Sequence, residues 1–208
     1  TISEVVWADM EFASLYRLVP KRLYSIAESS DDPRKIDYYQ WESIGADILI
    51  RGVSEIQRDR LITEVRIYAV VAQEMVFGKR YEGAVSASRI MAHRIADDIL
   101  IQAGNYRGIN QTKLAFSSDR RGERSKEIYI MDYDGVAQKP LTANRALNLT
   151  PTWAPDGRSL AYISYRTGKP SLHVAHIYEG RGELLNTGAG MAINPAWSPN
   201  GSEIAFTS

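Results

Sequence analysis

The spacing of apolar residues predicts a helix at each end of the first hundred residues. Over residues 2–15, apolar side chains recur three to four positions apart, at Ile2, Val5, Val6, Met10 and Leu15. This spacing gives a helix one apolar face. Ser3 is its predicted N-cap, with Glu4 in the first turn. Residues 86–103 repeat the helical spacing, and Gly104 is the predicted stop.

Between these helices the pattern changes to that of strands. Residues 47–53 (DILIRGV) predict a buried strand, and residues 61–71 alternate apolar with polar positions, as a half-buried strand does. Residues 75–81 are the predicted hairpin partner, and residues 39–44 predict a short helix. A small sheet backed by two or three helices is therefore expected, which is an α+β domain.

After residue 107 the chain consists of strands and turns that repeat. The stretch 151–157 (PTWAPDG) returns as 195–201 (PAWSPNG), 44 residues later. The stretch 160–164 (LAYIS) returns as 204–208 (IAFTS) at the same offset, and an earlier copy (LAFSS) occupies 114–118. A repeat of about 40–50 residues with four short strands has the size of a β-propeller blade.

The sequence therefore predicts two domains, an α+β domain over residues 1–106 and an incomplete all-β propeller portion over residues 107–208. The propeller portion holds most of one blade, one full blade and half of a third. Because a propeller needs about four to eight blades to close its ring, we expect the intact gene to continue with further repeats after Ser208. The first copy lacks the Pro-x-Trp-x-Pro turn. Such a missing first strand is expected if a strand from a distant C-terminus completes the first blade and closes the ring.

Composition and charge narrow the functional classes. The 208 residues carry 25 basic and 25 acidic side chains, which divide into about −3 for the first half and +3 for the second. Such small charges argue against a nucleic-acid partner. The chain has no cysteine, hence no disulfide or thiolate zinc site. The sequence contains no run of 18 apolar residues, so it predicts no transmembrane helix.

No group of residues predicts catalysis, a metal site or a cofactor. The histidines His173 and His176 are three apart in a predicted strand and therefore point to opposite faces. His93 is expected on the surface of its helix or partly buried. Asp97 and Asp98 diverge by about 100° on a helix, which favours a solvated face. Gly-x-Ser-x-Gly, Walker and His-Glu-x-x-His motifs do not occur.

A basic stretch near residue 120 also does not predict a binding site. Its four basic residues are interleaved with acidic ones, which predicts a self-neutralising hairpin tip. The basic residues are Arg120, Arg121, Arg124 and Lys126, and the acidic ones are Asp119, Glu123 and Glu127.

Three features together resemble the TolB family, periplasmic proteins of the Tol–Pal system of Gram-negative envelopes. Residues 9–12 match the first helix of that family, and residues 41–52 (W-x-x-x-G-A-D-x-L-I-x-G) match its helix-to-strand junction. The Trp-Ser/Ala-Pro-Asp/Asn-Gly and Leu-Ala-Tyr/Phe repeats match its six-bladed propeller. The resemblance covers nearly the whole chain in the same domain order.

The resemblance implies a non-enzymatic scaffold of the periplasm, monomeric before it binds partners. In that family the propeller binds the lipoprotein Pal, and a segment before the first helix engages TolA, an inner-membrane protein; this chain opens at Thr1. The implied role is to link the two membranes and to support outer-membrane integrity and constriction during division.

The resemblance also implies where Pal would bind. The matching loops precede the first strand of two blades, and Met191 stands where a relative would offer a histidine. Their residues are Leu147, Asn148, Leu149, Thr150, Met191, Ala192, Ile193 and Asn194. Exposed apolar residues at a propeller rim favour an interaction surface. Support of the neighbouring blade is an equally good interpretation.

Two alternatives stay open. The repeats also fit the propeller of a prolyl-oligopeptidase-like peptidase, whose Ser-Asp-His triad would have to lie after Ser208. They also fit an unrelated periplasmic or surface protein with similar repeats.

Overall fold

A computed structural model describes residues 1–27, 35–122, 124–185 and 191–208. The chain forms two compact units, Thr1–Gln111 and Thr112–Ser208. The domain limits predicted from the sequence, 1–106 and 107–208, stay a prediction.

The first unit combines helices with one antiparallel sheet. The helices and strands are α1 (Ile2–Ala13), α2 (Tyr24–Ala27), α3 (Tyr38–Ser43), β1 (Ile48–Gln57), β2 (Arg60–Ala69), β3 (Glu74–Ala84) and α4 (Ser88–Gly104). The strand order in the sheet is β1-β2-β3. A short 3₁₀ turn, Lys21–Leu23, precedes α2, and another, Val85–Ala87, precedes α4.

Both long helices were predicted, but their ends differ from the prediction. Helix α1 is capped by Thr1, whose hydroxyl accepts a hydrogen bond from the Glu4 amide at 3.3 Å. The prediction of Ser3 as the N-cap is therefore wrong, because Ser3 already lies in the first turn. Gly104 is still helical, and Asn105 takes the left-handed conformation (φ 56°) that ends α4.

Strand β2 forms the centre of the sheet and of the core. Its odd-numbered apolar residues, Leu61, Val65 and Ile67, belong to one cluster with Ile95 and Ile99 of α4. The hairpin of β2 with β3 is confirmed.

Strand β1 was predicted to be buried, and this is wrong over most of its length. Leu49 is buried, but Ile50, Val53 and Ile56 are exposed. The physical reason is position: β1 pairs with β2 on one side only and is an edge strand among the described residues.

Three polar residues of α4 that were expected at or near the surface form side-chain hydrogen bonds with other parts of the first unit instead. His93 is 3% exposed, and its Nδ1 lies 2.8 Å from Oδ2 of Asp9 in α1. Asp97 is buried, and Asp98 accepts hydrogen bonds from Lys79 and Tyr81 at 2.6 and 2.8 Å. The predicted solvated face is therefore wrong, because the chain after α4 covers Asp97 and two donors of the sheet bind Asp98, whose side chain is 23% exposed.

The hydrogen bonds of Asp98 change its acidity and that of its partner. Burial pushes the pKa of Asp98 up, but the donors Lys79 and Tyr81 outweigh burial and hold this pKa below its ordinary value. Burial and the bond to Asp98 raise the pKa of Tyr81.

In the described part of the second unit, the strands form three antiparallel sheets of three, four and two strands. They correspond to the predicted incomplete first blade, full second blade and half of a third, which are thus confirmed. The strands are β4 (Lys113–Ser118), β5 (Glu127–Asp132), β6 (Lys139–Pro140), β7 (Asn148–Trp153), β8 (Ser159–Ser164), β9 (Ser171–His176), β10 (Arg181–Leu184), β11 (Ile193–Trp197) and β12 (Ile204–Thr207).

Equivalent positions of the sequence repeat have the same backbone geometry. Thr150 and Asn194, each before a proline, both adopt positive φ (50° and 53°). The turn glycines Gly157 and Gly201 do so as well (65° and 73°), as this turn requires of the residue after Pro-Asp or Pro-Asn. The repeat is therefore a repeat of conformation as well as of sequence.

The tryptophans of the repeat differ in their hydrogen bonds. The indole N–H of Trp197 donates to the carbonyl of Thr152 in the preceding blade at 3.2 Å. The indole nitrogen of Trp153 is buried and meets no acceptor in the part of the chain that the structure describes. This difference fits the first blade, in which the described residues form the sheet β4-β5-β6 without a strand equivalent to β7.

The basic hairpin tip is only partly as predicted. The guanidinium of Arg120 lies over the ring of Tyr129, 4.5 Å from its centroid, and donates to Gln138 at 2.6 Å. Glu127 does not neutralise the tip, because its side chain is buried in the blade. Glu123 lies outside the described residues.

The two histidines of β9 point to opposite faces, as predicted. His173 is buried, stacks on Tyr162 with 5.5 Å between ring centroids, and lies 3.2 Å from the Ser171 hydroxyl. His176 lies 3.0 Å from the Ser159 hydroxyl. Burial, helped by the charge of Arg166, lowers the pKa of His173 below its ordinary value.

The second unit should lose stability in mild acid through His173. Because the folded state lowers this pKa, the neutral form stabilises the fold above the ordinary histidine pKa of about 6.5, and this stabilisation is lost as the pH falls through the folded pKa. We expect the thermal unfolding midpoint to fall by a few degrees between about pH 7.5 and pH 5.

The His173→Gln variant should show a smaller fall, measured by circular dichroism. The control is His176→Gln, which removes a histidine from the other face of the same strand. Equal pH dependence in wild type and His173→Gln would contradict the assignment.

Candidate functional site

The two predicted rim segments lie at the N-terminal ends of β7 and β11, which pack against each other. They are not free loops, and in this respect the prediction is wrong. Residues 148–150 already belong to β7, and residues 193–194 belong to β11. The reason is pairing: Asn148 and Leu149 pair with β8, and Ile193 pairs with β12.

The eight predicted residues divide by exposure. Leu147 (37% exposed), Met191 (58%) and Ile193 (41%) present apolar side chains to solvent. Thr150 and Asn194 are exposed beside them, and Leu149 is half-buried. We call Leu147, Thr150, Met191, Ile193 and Asn194 the rim surface.

Asn148 and Ala192 cannot take part in a surface contact. Asn148 has no exposed area, since its side-chain amide donates into the blade. Ala192 is 1% exposed and packs in a cluster with Leu172 and Val174. The sequence could not show this, because a short polar residue and a small apolar one both suit a loop.

The backbone of the rim is shaped by a bulge in each strand. The pairing of β7 with β8 shifts between Leu149 and Thr152, and that of β11 with β12 shifts between Ile193 and Ala196. The left-handed residues Thr150 and Asn194 lie within these shifts. A bulge bends its strand and re-aims the neighbouring side chains, which here places them at the rim.

A buried carboxylate supports the rim from below. Glu127, only 2% exposed, accepts hydrogen bonds from the Thr142 hydroxyl at 2.5 Å, the Arg145 amide at 2.7 Å and the Asn148 side chain at 3.1 Å. The Asn148 amide also donates to the carbonyl of Lys126 at 2.8 Å. Because charge-assisted hydrogen bonds are strong and directional, this network fixes the chain that leads to Leu147.

The first unit contains a larger concave feature that the sequence did not predict. A groove of about 1430 Å³ is lined by residues of α1, α2 and β1, among others. Trp7 and Tyr24 contribute aromatic side chains to it, and Ile50, Val53 and Ile56 of β1 contribute aliphatic ones. The apolar residues along β1 are visible in the sequence, but apolar content alone does not distinguish an edge strand from a central one.

A cavity of about 580 Å³ in the second unit brings a serine, a histidine and a glutamate together. The Ser159 hydroxyl lies 3.0 Å from Nδ1 of His176, and Nε2 of His176 lies 3.7 Å from Oε1 of Glu183. The second distance exceeds a hydrogen bond, so the glutamate does not fix the imidazole. Ser159 itself is only 8% exposed. The geometry therefore gives no support to a catalytic triad.

In the part of the chain that the structure describes, no helix has the length and apolar character needed to cross a membrane.

The rigidity of the rim can be tested at Asn148. Asn148→Ala leaves the buried Glu127 carboxylate without one of its donors, and we expect the free energy of unfolding to fall by about 1–3 kcal/mol in urea titrations. The control is Asn194→Gly, which removes an exposed asparagine and keeps the left-handed conformation, and it should change stability by only a few tenths of a kcal/mol. Equal effects would show that the network does not support the rim.

Comparisons with known proteins agree with the two-unit architecture. The family described as "TolB beta propeller domain" matches residues 102–208, and the family described as "TolB amino-terminal domain" matches residues 1–76. The predicted fold class, an α+β domain followed by part of a propeller, is thus confirmed.

Two curated relatives illustrate the similarity. The Tol-Pal system protein TolB of Desulfosudis oleivorans is 36% identical over 172 residues, which cover 83% of this chain and 39% of the relative. The Tol-Pal system protein TolB of a Ruegeria species is 31% identical over 192 residues, covering 91% of this chain and 43% of the relative. The chain therefore spans about two fifths of the length of these relatives.

A solved structure shows the same fold. The crystal structure of TolB from Acinetobacter baumannii superposes with a TM-score of 0.81 at 20% identity, covering the whole of this chain and 51% of that one.

Proposed function

Because the chain belongs to the TolB family, we propose that it is a protein-binding scaffold of the Tol–Pal system and acts without catalysis. The observation that carries the proposal is the rim surface, where three apolar side chains at the starts of two neighbouring strands face solvent. Solvent-exposed apolar clusters on a rigid frame are typical of protein interaction sites.

The proposed partner of the rim surface is the lipoprotein Pal. Leu147 and Met191 occupy equivalent places in successive repeats, as do Leu149 and Ile193. Exposed apolar side chains therefore recur at the same place in two successive blades, Leu147 just before β7 and Met191 just before β11. Bulges and the Glu127 network order these side chains before binding, which reduces the entropy lost on association.

The wider role is a link across the periplasm. We propose that the protein connects Pal at the outer membrane with a TolA-like protein of the inner membrane, and thereby supports outer-membrane integrity and constriction during division. Membership of the family supports this role. For the TolA-like partner, family membership is the whole of the support.

The proposal can be tested with Pal from the same organism. The full-length protein should retain Pal in a pull-down, and the double substitution Met191→Ser with Ile193→Ser should weaken binding by about 10- to 100-fold, because interface residues of this kind contribute about 1.4–2.8 kcal/mol. Isothermal titration calorimetry measures the dissociation constant.

The control variant is Tyr178→Ser. Tyr178 is 66% exposed but lies in the β9–β10 turn, at the opposite end of the blade from the start of β7. We expect it to bind Pal as the wild type does. Absence of Pal binding by the wild type would overturn the proposed function, and equal binding by all three proteins would overturn the role of the rim surface.

A further inference from the structure

The chain leaves helix α4 through a segment without regular structure, residues 106–111, before the second unit begins at Thr112. We propose that the Asp97 carboxylate is a latch that holds the last part of this segment, residues 108–111, on the side of α4. Residues 108–111, the last of the first unit, are then held on α4 by this contact.

Both oxygens of Asp97 bind this segment. Oδ1 accepts a hydrogen bond from the backbone amide of Asn110 at 3.1 Å, and Oδ2 accepts one from the side-chain amide of Gln111 at 2.8 Å. Asp97 is 7% exposed and Asn110 2% exposed. Water therefore competes little for these bonds, which are charge-assisted.

The close approach of Gly108 is a second and independent observation. A Cβ built on Gly108 would lie 2.7 Å from Cγ of Asp97 and 3.0 Å from its Cα. Gly108 has no positive φ. Glycine is therefore required here by space, because the backbone of the segment lies directly on the helix beside the carboxylate.

The end of α4 directs the chain towards this contact. Asn105 reverses the chain with its left-handed conformation, and its amide donates to the carbonyl of Ile101 at 2.8 Å. The amide of Tyr106 donates to the carbonyl of Leu100 at 3.1 Å. The chain thus turns back along the helix, and Asp97 lies one turn before Ile101, where the returning segment passes.

Asp98 makes a matched comparison within the same helix. It has the same carboxylate one position later, but it binds Lys79 and Tyr81 of β3 and not the segment after α4. Adjacent helical residues diverge by about 100°, so one carboxylate faces the sheet and the other the connecting segment. Asp97 is thus a positioning residue for residues 108–111, and Asp98 is not.

The test is amide hydrogen exchange of the full chain, resolved at Asn110. Asp97→Asn replaces one acceptor oxygen with an NH₂ group that faces another donor. We expect the Asn110 amide to exchange about 10-fold faster or more, while the amides of helix α4 keep their protection. Gly108→Ala should give the same local increase, because its Cβ displaces the segment from the carboxylate.

Asp98→Asn is the control, and the Asn110 amide should exchange within about 2-fold of the wild-type rate in this variant. Unchanged exchange of Asn110 in Asp97→Asn would overturn the latch. A loss of protection spread over all of α4 would also overturn it, because Asp97 would then stabilise the helix and not residues 108–111.

Discussion

The need of each buried carboxylate for hydrogen-bond donors determines much of this structure. Among the described residues, Asp9, Asp97 and Glu127 are acidic side chains at most 7% exposed. A carboxylate removed from water costs several kcal/mol unless donors surround it. Each of the three therefore holds a particular segment in place.

The three carboxylates act at different levels of the fold. Asp9 joins α1 to α4 through His93, and it does so between residues 84 positions apart in the chain. Asp97 holds the segment that leaves α4. Glu127 gathers the stretch from Thr142 to Asn148, which leads to the rim surface. Apolar burial supplies most of the stability of a fold, but it is not directional. The hydrogen bonds of the carboxylates are directional and therefore fix the position of particular segments.

Sequence patterns predicted the features that depend on local periodicity. The helices α1 and α4, the β2–β3 hairpin and the three groups of repeat strands follow from spacings of two, of three to four, and of about 44 residues. The partners of Asp9, Asp97 and Glu127 could not be predicted, because no spacing links a side chain to a partner 13 to 84 residues away. The edge position of β1 could not be predicted for a similar reason. Ile50 and Val53 have the composition of a buried strand, and which strand pairs on both sides is decided by the sheet.

At the rim surface the two repeats share a backbone conformation but differ in their side chains. Asn148 and Ala192 are equivalent in the two repeats and both are buried, yet one binds a carboxylate and the other packs in an apolar cluster. The left-handed residues Thr150 and Asn194 and the bulges around them are nevertheless the same. The backbone of the rim is thus set by the bulge that precedes each proline, whichever side chain anchors it. The exposed positions of Leu147 and Met191 are not needed for that anchor. Their side chains can therefore differ between blades without disturbing the fold, which is what the proposed contact with a partner requires.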